Sequence, residues 1–335
     1  MTAVSGGFES GFTLGRHRFR TGLTLAPMAG NTNLAYRRLC RKFGAELTTT
    51  EMVSAKALQF QDPKTMSLLE RGEDEKPVAA QVFGADPADL ATATAIIAEL
   101  GFDFVDLNIG CPVPKITSGG GGSSLLRVPT LAAECVAAMT TASNLPVSVK
   151  IRAGWDEENR NAPDFAFQMQ QAGAVAITIH GRTREQKYSG KADYELIGEV
   201  VSAVSIPVIG NGDVVDLDSA AELLAQGVSG IAIGRGAMGR PWLFSQLRAM
   251  ILSEPIPKAP GTQERMALLL ELGQGVCSIY GEGRGMKIMR RLSADFFRES
   301  PGSARLRAAC SQLSALEDLE NLVQDSNTEP SQFNP

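Results

Sequence analysis

The sequence predicts an α/β protein, a (β/α)8 TIM barrel followed by a small all-helical domain. Eight short apolar runs recur along the chain, and each is followed by a polar or glycine-containing loop and then a helical pattern. No G-x-G-x-x-G follows the first run, which disfavours the alternative of a doubly wound open sheet. Beyond Trp242 the strand signals end and longer helical patterns follow a proline-rich stretch.

The predicted strands lie near residues 23–26, 47–50, 78–82, 104–108, 147–151, 176–180, 208–211 and 230–234. The segment ADPADLATATAIIAELG illustrates the helices between them. Asp86 or Asp89 can cap this helix, its apolar positions run from Leu90 to Leu100, and Gly101 ends it.

The proline-rich stretch SEPIPKAPG predicts a domain boundary near residue 256. We expect the catalytic barrel to span residues 1–250 and the helical domain to span 257–325. The polar segment at 326–335 is expected to be a disordered tail.

Composition narrows the class of protein. The 335 residues are 44% hydrophobic and 21% charged, as in ordinary globular proteins. We expect no membrane span and no secretion signal, because no long apolar run exists. Five scattered cysteines favour a reducing compartment, so a cytoplasmic protein is expected. A net charge of −5 argues against bulk nonspecific binding of nucleic acid but leaves a local basic patch open.

Polar residues at the strand ends predict the functional site, because chemistry in such barrels lies at the carboxyl ends of strands. Lys150 points either into this mouth or outward among the helices. His180 is either structural or, with the Gly-Arg that follows it, part of an anion contact. The residues that can line one mouth are Gln81, Lys150, His180, Asn211 and Arg235.

Glycine-rich turns follow the last two strands, in VIGNGDV and IGRGAMGRPW. They include Gly212 and Gly234, and turns at these two positions commonly bind phosphate. The turn from Pro27 to Gly30 either approaches a flat ligand or is a plain βα turn. A flavin mononucleotide (FMN) fits a mouth that offers hydrogen bonds and positive charge to a ring edge and a phosphate. No metal site is predicted.

Six motifs together resemble the tRNA-dihydrouridine synthase family, most closely its bacterial B-type branch. They are APMAGNTNLAYRRLC, NIGCPVPK, VSVKIRAGW, TIHGRT, IPVIGNGDV and IGRGAMGRPWLF. The resemblance covers the chain from about Leu14 to residue 310. It implies an FMN-bearing barrel, a helical domain that helps to hold tRNA, and a monomer. It also implies NADPH-driven reduction of D-loop uridines to dihydrouridine.

The resemblance also assigns roles to residues. Cys111 matches the general acid of the family's Gly-Cys-Pro motif, and Asn108 matches a position near the flavin and the uracil. Its flavin-ring contacts fall on Pro27, Met28, Ala29, Gln81 and Lys150. Its phosphate-side contacts fall on His180, Asn211, Asp213, Gly234 and Arg235, and Gly212 lies within the same turn.

Cys111 has a chemical reason to act as an acid. Hydride delivered from flavin N5 to uracil C6 leaves C5 in need of a proton, and an ordinary thiol is mostly protonated at neutral pH. The glycines at 119–122 are expected to let its loop move while an everted base enters. The alternative is an inert buried thiol. The other four cysteines, Cys40, Cys135, Cys277 and Cys310, are expected to be packing residues.

The C-terminal region supplies candidate RNA contacts. Residues 284–307 hold seven basic and two acidic side chains, Asp295 and Glu299, for a local charge of +5. Such charges form a solvated helix face or bind phosphate. One helix face should carry Lys287, Arg290, Arg291 and Arg298, opposite an apolar face of Ile288, Leu292 and Phe296. The predicted RNA-binding residues are Lys115, Arg182, Lys287, Arg290 and Arg291.

The match departs from the family on the RNA side. The loop after Cys111 is commonly richer in basic residues in the family, and here only Lys115 remains. The family's Arg-Lys-His signature reads Arg290-Arg291-Leu292, and Asp295 and Phe296 follow where aromatic residues are expected. We therefore hypothesise a weakened grip on RNA.

Two other hypotheses about the function remain. The first is an FMN-dependent dehydrogenase or reductase of a free pyrimidine or another small molecule, against which the basic helical domain argues. The second is an RNA-binding protein without catalytic activity, against which Cys111, Lys150 and the phosphate turns argue.

Overall fold

A computed structural model describes residues 11–298 and 302–328. Its strands are β1 (Phe12–Leu14), β2 (His17–Phe19), β3 (Leu23–Leu25), β4 (Leu47–Thr49), β5 (Val53–Ser54), β6 (Val78–Phe83), β7 (Phe104–Ile109), β8 (Val147–Arg152), β9 (Ala176–His180), β10 (Val208–Asn211) and β11 (Gly230–Ile233). All strands except the first two run parallel.

Eight of these strands close into a barrel. β3 pairs with both β4 and β11, β4 pairs with β6, and the remaining neighbours follow in chain order. The short β5 extends the pairing at the end of β6. Each of the eight predicted strands begins at the residue where the strand begins in the structure, so the predicted TIM barrel is confirmed.

The hairpin of β1 and β2 was not predicted, because three-residue strands give little periodic signal. The hairpin buries Leu14 and Phe19. The Phe19 ring lies 6.2 Å from that of Phe104 on β7, and all three residues belong to the cluster that fills the barrel interior. The hairpin thus adds apolar side chains to the barrel's inner core.

The helices of the barrel region are α1 (Leu34–Lys42), α2 (Ala55–Leu58), α3 (Pro63–Met66), α4 (Pro87–Glu99), α5 (Pro114–Thr117), α6 (Pro129–Ala142), α7 (Ala162–Gln171), α8 (Tyr194–Ala203), α9 (Leu217–Leu224) and α10 (Leu243–Ile251). Two 3-10 helices span Gly122–Arg127 and Arg235–Ala237. Asp86, and not Asp89, caps α4 by accepting a hydrogen bond from the Asp89 N–H.

The C-terminal helices are α11 (Thr262–Tyr280), α12 (Glu282–Phe296), α13 (Ser303–Cys310) and α14 (Leu316–Thr328). No helix or strand is assigned at 252–261, where the linker was predicted. α14 continues three residues into the predicted disordered tail. Glu299 and the rest of that tail, 329–335, lie outside the described residues.

The C-terminal helices pack on the barrel. Lys42 of α1 forms an ion pair of 2.7 Å with Glu271 of α11. The predicted apolar face of α12 is confirmed, since Leu292 and Phe296 are buried and Ile288 packs against the same core cluster as the barrel. This packing places α12 beside the mouth of the barrel. Among the described helices, none combines the length and apolarity that crossing a membrane requires.

Candidate active site

A cavity of about 850 Å³ opens at the carboxyl ends of the barrel strands, beside α12. It is lined by Cys111 and by every residue predicted to bind the cofactor: Pro27, Met28, Ala29, Gln81, Asn108, Lys150, His180, Asn211, Gly212, Asp213, Gly234 and Arg235. The strand ends of a closed barrel meet at one face, which explains how residues so distant in sequence come together.

The turn after β3 is held by hydrogen bonds at the edge of the cavity. The Thr32 hydroxyl contacts both the N–H and the carbonyl oxygen of Met28, at 3.1 and 3.2 Å. Gly30 adopts a φ of +76°, and its N–H donates to the Glu51 carboxylate at 2.6 Å. The segment from Pro27 to Ala29 is therefore both a tight βα turn and part of the cavity wall.

Gln81 of β6 is buried within a polar network. Its Nε2 donates to Asp106 Oδ2 at 2.7 Å, and its Oε1 accepts from Asn108 Nδ2 at 2.9 Å. Asp106 also accepts from the Ser148 hydroxyl at 2.6 Å. The network removes the energetic cost of burying an amide in an apolar strand, because both ends of the side chain form hydrogen bonds.

Cys111 lies two residues beyond the carboxyl end of β7. Asn108 Oδ1 accepts from the N–H groups of Cys111 and Gly110, at 2.8 and 3.1 Å, and so fixes the turn that carries the thiol. Burial raises the pKa of the Cys111 thiol, while a backbone hydrogen bond from Val113 and the positive charge of Arg152 act against that rise. The thiol therefore remains protonated at neutral pH and can donate a proton.

The glycine run after Cys111 is folded in the structure. Gly122 has a φ of +57°, and a Cβ at this position would lie 2.8 Å from the carbonyl oxygen of Cys111. The same carbonyl accepts from the N–H and the hydroxyl of Ser123, at 3.1 and 2.9 Å. The expected mobility of this loop stays a prediction, but one of its glycines has a defined structural role.

Lys150 points into the cavity, which decides between the two orientations left open by the sequence. Its Nζ donates to Asn211 Oδ1 at 3.0 Å, and Asn211 Nδ2 donates to the carbonyl of Ala232 at 2.7 Å. Burial, reinforced by the like charge of Arg152, lowers the pKa of Lys150 to about 8. The cavity therefore holds an ammonium group that an electron-rich ligand would stabilise.

His180 is kept neutral by its surroundings. Burial is the largest cause that holds its pKa well below the usual value, and the charges of Lys150, Arg152, Arg182 and Arg235 add to it. The buried imidazole lines the cavity. A neutral ring here can exchange hydrogen bonds with a ligand without adding charge.

The turns after β10 and β11 form the cavity's cationic end. Gly212 adopts a φ of +122°, and a Cβ there would lie 2.9 Å from His180 Cδ2. The Asp213 carboxylate accepts from both terminal nitrogens of Arg182, at 2.8 and 2.6 Å, and from the Ala192 N–H. Its side chain supports the turn and is engaged by protein donors. Arg235 remains more than half exposed at the cavity wall.

Arg182, a predicted RNA contact, is held by other groups of the protein. Its side chain is only 2% exposed and is committed to Asp213 and to the carbonyl oxygens of Ser189 and Gly190. The prediction that Arg182 contacts RNA stays a prediction, and in this structure its guanidinium is bound by protein acceptors. The sequence could not reveal this, because the partner carboxylate lies 31 residues away in the chain.

Of the other predicted RNA-binding residues, only Arg291 lines the cavity, and its guanidinium lies over Gly30. Lys115 and Lys287 are exposed elsewhere on α5 and α12. Arg290 Nε donates to the carbonyl of Leu313 at 2.8 Å. The predicted basic face of α12 is thus divided between the cavity and the helices beyond it.

Arg152 and Tyr188 are among the cavity residues that were missed from the sequence. Arg152 is buried, and its Nε donates to the carbonyl of Gly110 at 2.7 Å, next to Cys111. Tyr188 is an exposed aromatic residue whose ring lies 4.6 Å from the guanidinium carbon of Arg235. A usable signal existed for Arg152, because it follows Lys150 by two residues and so shares its face of β8.

A closed (β/α)8 barrel whose mouth brings a thiol together with a cationic, hydrogen-bonding wall has the architecture of a barrel enzyme. Within residues 11–298 and 302–328, no group of three or more His, Cys, Asp or Glu side chains could hold a metal ion. The model of the dihydrouridine synthase (Dus) family matches residues 24–331. The chain belongs to this family, whose members are flavin-dependent oxidoreductases.

Individual proteins agree with this assignment. The chain is 39% identical over 310 residues to tRNA-dihydrouridine synthase B of Pseudomonas aeruginosa, and the match covers 92% of each chain. It is 40% identical over 272 residues to a probable tRNA-dihydrouridine synthase of Rhodobacter capsulatus, covering 80% of this chain and 83% of the relative. Morphinone reductase in complex with tetrahydroNAD shares the fold, with a TM-score of 0.50 at 13% identity, covering 76% of this chain and 93% of that chain.

Proposed function

We propose that this oxidoreductase reduces specific uridines in the D-loop of tRNA to 5,6-dihydrouridine, with FMN as its flavin and NADPH as the reductant. One observation carries the proposal. A single cavity of about 850 Å³ joins the Cys111 thiol to a wall formed by Lys150, His180 and Arg235. That volume lies within the roughly 300–1,000 Å³ typical of cofactor and ligand sites.

The residues present fit an FMN. Lys150 places positive charge where a flavin ring edge can use it, and Gln81 adds an amide at the same wall. The side-chain-free Gly212 and Gly234 let the backbone of two turns approach a phosphate, and Arg235 adds charge at that end. Asp213 would contribute through its backbone, because its carboxylate is bound by Arg182.

Cys111 has the acid's role in this scheme. A flavin held by Gln81 and Lys150 would supply the hydride for C6 of the target uracil. The Cys111 thiol gives its proton to C5, so that the 5,6 double bond is consumed and a thiolate remains until water reprotonates it. Arg152 stabilises that thiolate by its charge, and Asn108 holds the turn in place.

A tRNA substrate must deliver one base out of its stack into this cavity. Arg291 and Arg298 line the cavity on the α12 side and are placed to meet the phosphates around that base. We further propose that the protein is a cytoplasmic monomer. One chain forms the whole cavity, and all five cysteines are free thiols.

The test begins with purified protein and its flavin spectrum. Released flavin is identified as FMN by mass spectrometry, and its reduction by NADPH and by NADH is compared. Dihydrouridine is then mapped in tRNA from a strain that lacks the gene and from the same strain with the gene restored. A colourless protein would favour an RNA-binding protein without catalysis. A yellow protein with unchanged tRNA would favour a small-molecule reductase.

A further inference from the structure

We propose that Asp106 is a positioning residue that orients two side-chain amides and, through them, the peptide N–H of Cys111. Asp106 lies on β7, is only 6% exposed and is not among the residues that line the cavity. The catalytic part of this inference rests on the proposed function, because it concerns the proton delivered by Cys111.

A continuous chain of hydrogen bonds links the two residues. Gln81 Nε2 donates to Asp106 Oδ2 at 2.7 Å, and Asn108 Nδ2 donates to Gln81 Oε1 at 2.9 Å. The N–H of Cys111 then donates to Asn108 Oδ1 at 2.8 Å, as does the N–H of Gly110 at 3.1 Å. We call these contacts the amide relay.

The direction of the amide relay follows from its two ends. A backbone N–H can only donate, so Asn108 must present its oxygen to Cys111 and its nitrogen to Gln81. An ionised carboxylate can only accept, so Gln81 must present its nitrogen to Asp106. Both amides are therefore held in one orientation. If the Gln81 and Asn108 amides turned over together, Asn108 would set a donor against the two backbone donors.

The surroundings of Asp106 favour this anchoring role. The Ser148 hydroxyl donates to its other oxygen at 2.6 Å, and the Lys150 charge lies close enough to stabilise the carboxylate. These contacts oppose the effect of burial, which raises the pKa of Asp106. The buried, multiply bonded carboxylate is a fixed reference for Gln81, which itself lines the cavity.

The amide relay predicts a specific response to substitution. Asp106→Leu keeps a similar shape but removes the acceptor, so the Gln81 and Asn108 amides lose their fixed orientation. Asp106→Asn keeps one oxygen that can accept from Gln81 and should largely restore it. Ser148→Ala is the matched control, because it removes a different hydrogen bond from the same carboxylate and leaves the relay intact.

The first readout needs neither cofactor turnover nor tRNA. Protein labelled with [15N]cysteine gives one amide resonance for each of its five cysteines, and Cys111→Ser identifies that of Cys111. In Asp106→Leu the Cys111 amide proton should shift upfield more than the other four, as its hydrogen bond weakens. It should stay near its original position in Asp106→Asn and Ser148→Ala. An unmoved Cys111 resonance in Asp106→Leu overturns the relay.

The second readout separates positioning from general damage. Single-turnover oxidation of the reduced enzyme by tRNA should slow about ten- to a hundredfold in Asp106→Leu, while the KM for tRNA is unchanged. In a Cys111→Ala background, Asp106→Leu should add little, because both changes act on the same proton transfer. Equal losses in both backgrounds would show that Asp106 does not act through Cys111.

Two results keep the inference separate from the proposed function. If the wild-type protein leaves tRNA unmodified, the proposed function fails while the resonance test still decides the relay. If Asp106→Leu does not fold, Gln81→Met interrupts the same chain at its middle link. An unmoved Cys111 amide in that variant overturns the proposal in the same way.

Discussion

The barrel mouth, where the strands end, differs from the α12 rim, the part of α12 that carries Arg290 and Arg291 beside the cavity. The two regions differ in how reliably their predicted residues reach the cavity. At the mouth, all twelve predicted cofactor-binding residues and Cys111 line one space. At the rim, neighbouring side chains diverge. Arg291 lines the cavity and Arg290 turns to the carbonyl of Leu313. The strand order of a barrel fixes where its strand-end residues lie. The direction of a side chain on a surface helix depends instead on how that helix packs against the barrel.

The difference between the two regions follows from the backbone geometry of strands and helices. Parallel strands in a closed barrel all end at one face, so a polar residue at a strand end is placed as soon as the strand is known. Successive residues on a helix point about 100° apart. Which of Arg290 and Arg291 faces the cavity is therefore set by the rotation at which α12 packs on the barrel.

The largest expected effect tests the mouth. Cys111→Ala should leave flavin binding intact and slow uridine reduction by about a hundredfold or more, the usual contribution of a general acid. Single-turnover oxidation of the reduced flavin by tRNA measures the loss. Cys277→Ala, a substitution on α11 away from the cavity, is the control. Normal turnover of Cys111→Ala would remove this thiol from the mechanism.

Lys150 tests the cationic wall of the mouth. Its pKa of about 8 means that the ammonium is charged below pH 8 and neutral above it. The affinity of the flavin-free protein for FMN should therefore fall as the pH rises through about 8. Lys150→Met should bind FMN about tenfold more weakly or worse, since it lacks a charged hydrogen-bond donor.

Fluorescence titrations with FMN across this pH range measure both effects. The Lys150→Met protein should show no step near pH 8, because the titrating group is gone. A step of unchanged size in this variant would assign the titration to another group.

One added methyl group in the loop after Cys111 should destabilise the protein. Gly122→Ala forces an alanine into a φ of +57° and sets its Cβ 2.8 Å from the Cys111 carbonyl oxygen. The free energy of unfolding should fall by about 1–3 kcal/mol, with turnover lowered as well. Gly283→Ala in α12 is the control, because a Cβ there meets nothing within 4 Å.

Urea denaturation of both variants gives the comparison. Gly283→Ala should be neutral or stabilising by up to about 1 kcal/mol, as is usual for glycine in a helix. Equal stability of Gly122→Ala and wild type would show that the loop can relax away from the conformation described here.

The smallest effect sharpens the contrast within α12. Arg291→Ala should weaken tRNA binding about three- to tenfold and lower the slope of log affinity against log salt by about one. Arg290→Ala should change both quantities less, because its guanidinium is held by the carbonyl of Leu313. Filter-binding titrations at several salt concentrations measure both.

The result also bears on the weakened grip that the departures from the family signature suggest. Tight binding with a steep salt slope in the wild-type protein would contradict that hypothesis. Equal effects of the two substitutions would contradict the contrast between Arg291, which faces the cavity, and Arg290, which is bound to the carbonyl of Leu313.

The sequence predicted the barrel because each strand is an apolar run of three to six residues bounded by turns. It missed the β1–β2 hairpin, whose strands are too short for a pattern. It missed Arg152 and Asp106 although each lies two residues from a recognised site residue on the same strand face. It did not show the pairing of Arg182 with Asp213, because Asp213 comes from another loop. Long-range pairing of this kind is absent from local patterns.

The most direct test is a crystal structure of the FMN-loaded protein. The flavin ring should lie in the cavity against Gln81 and Lys150, with its phosphate near Gly212 and Arg235. The Cys111 sulfur should face the ring across a gap that accepts one pyrimidine. A ring bound elsewhere, or a Cys111 sulfur separated from it by packed side chains, would contradict the assignment of the acid and of the whole site.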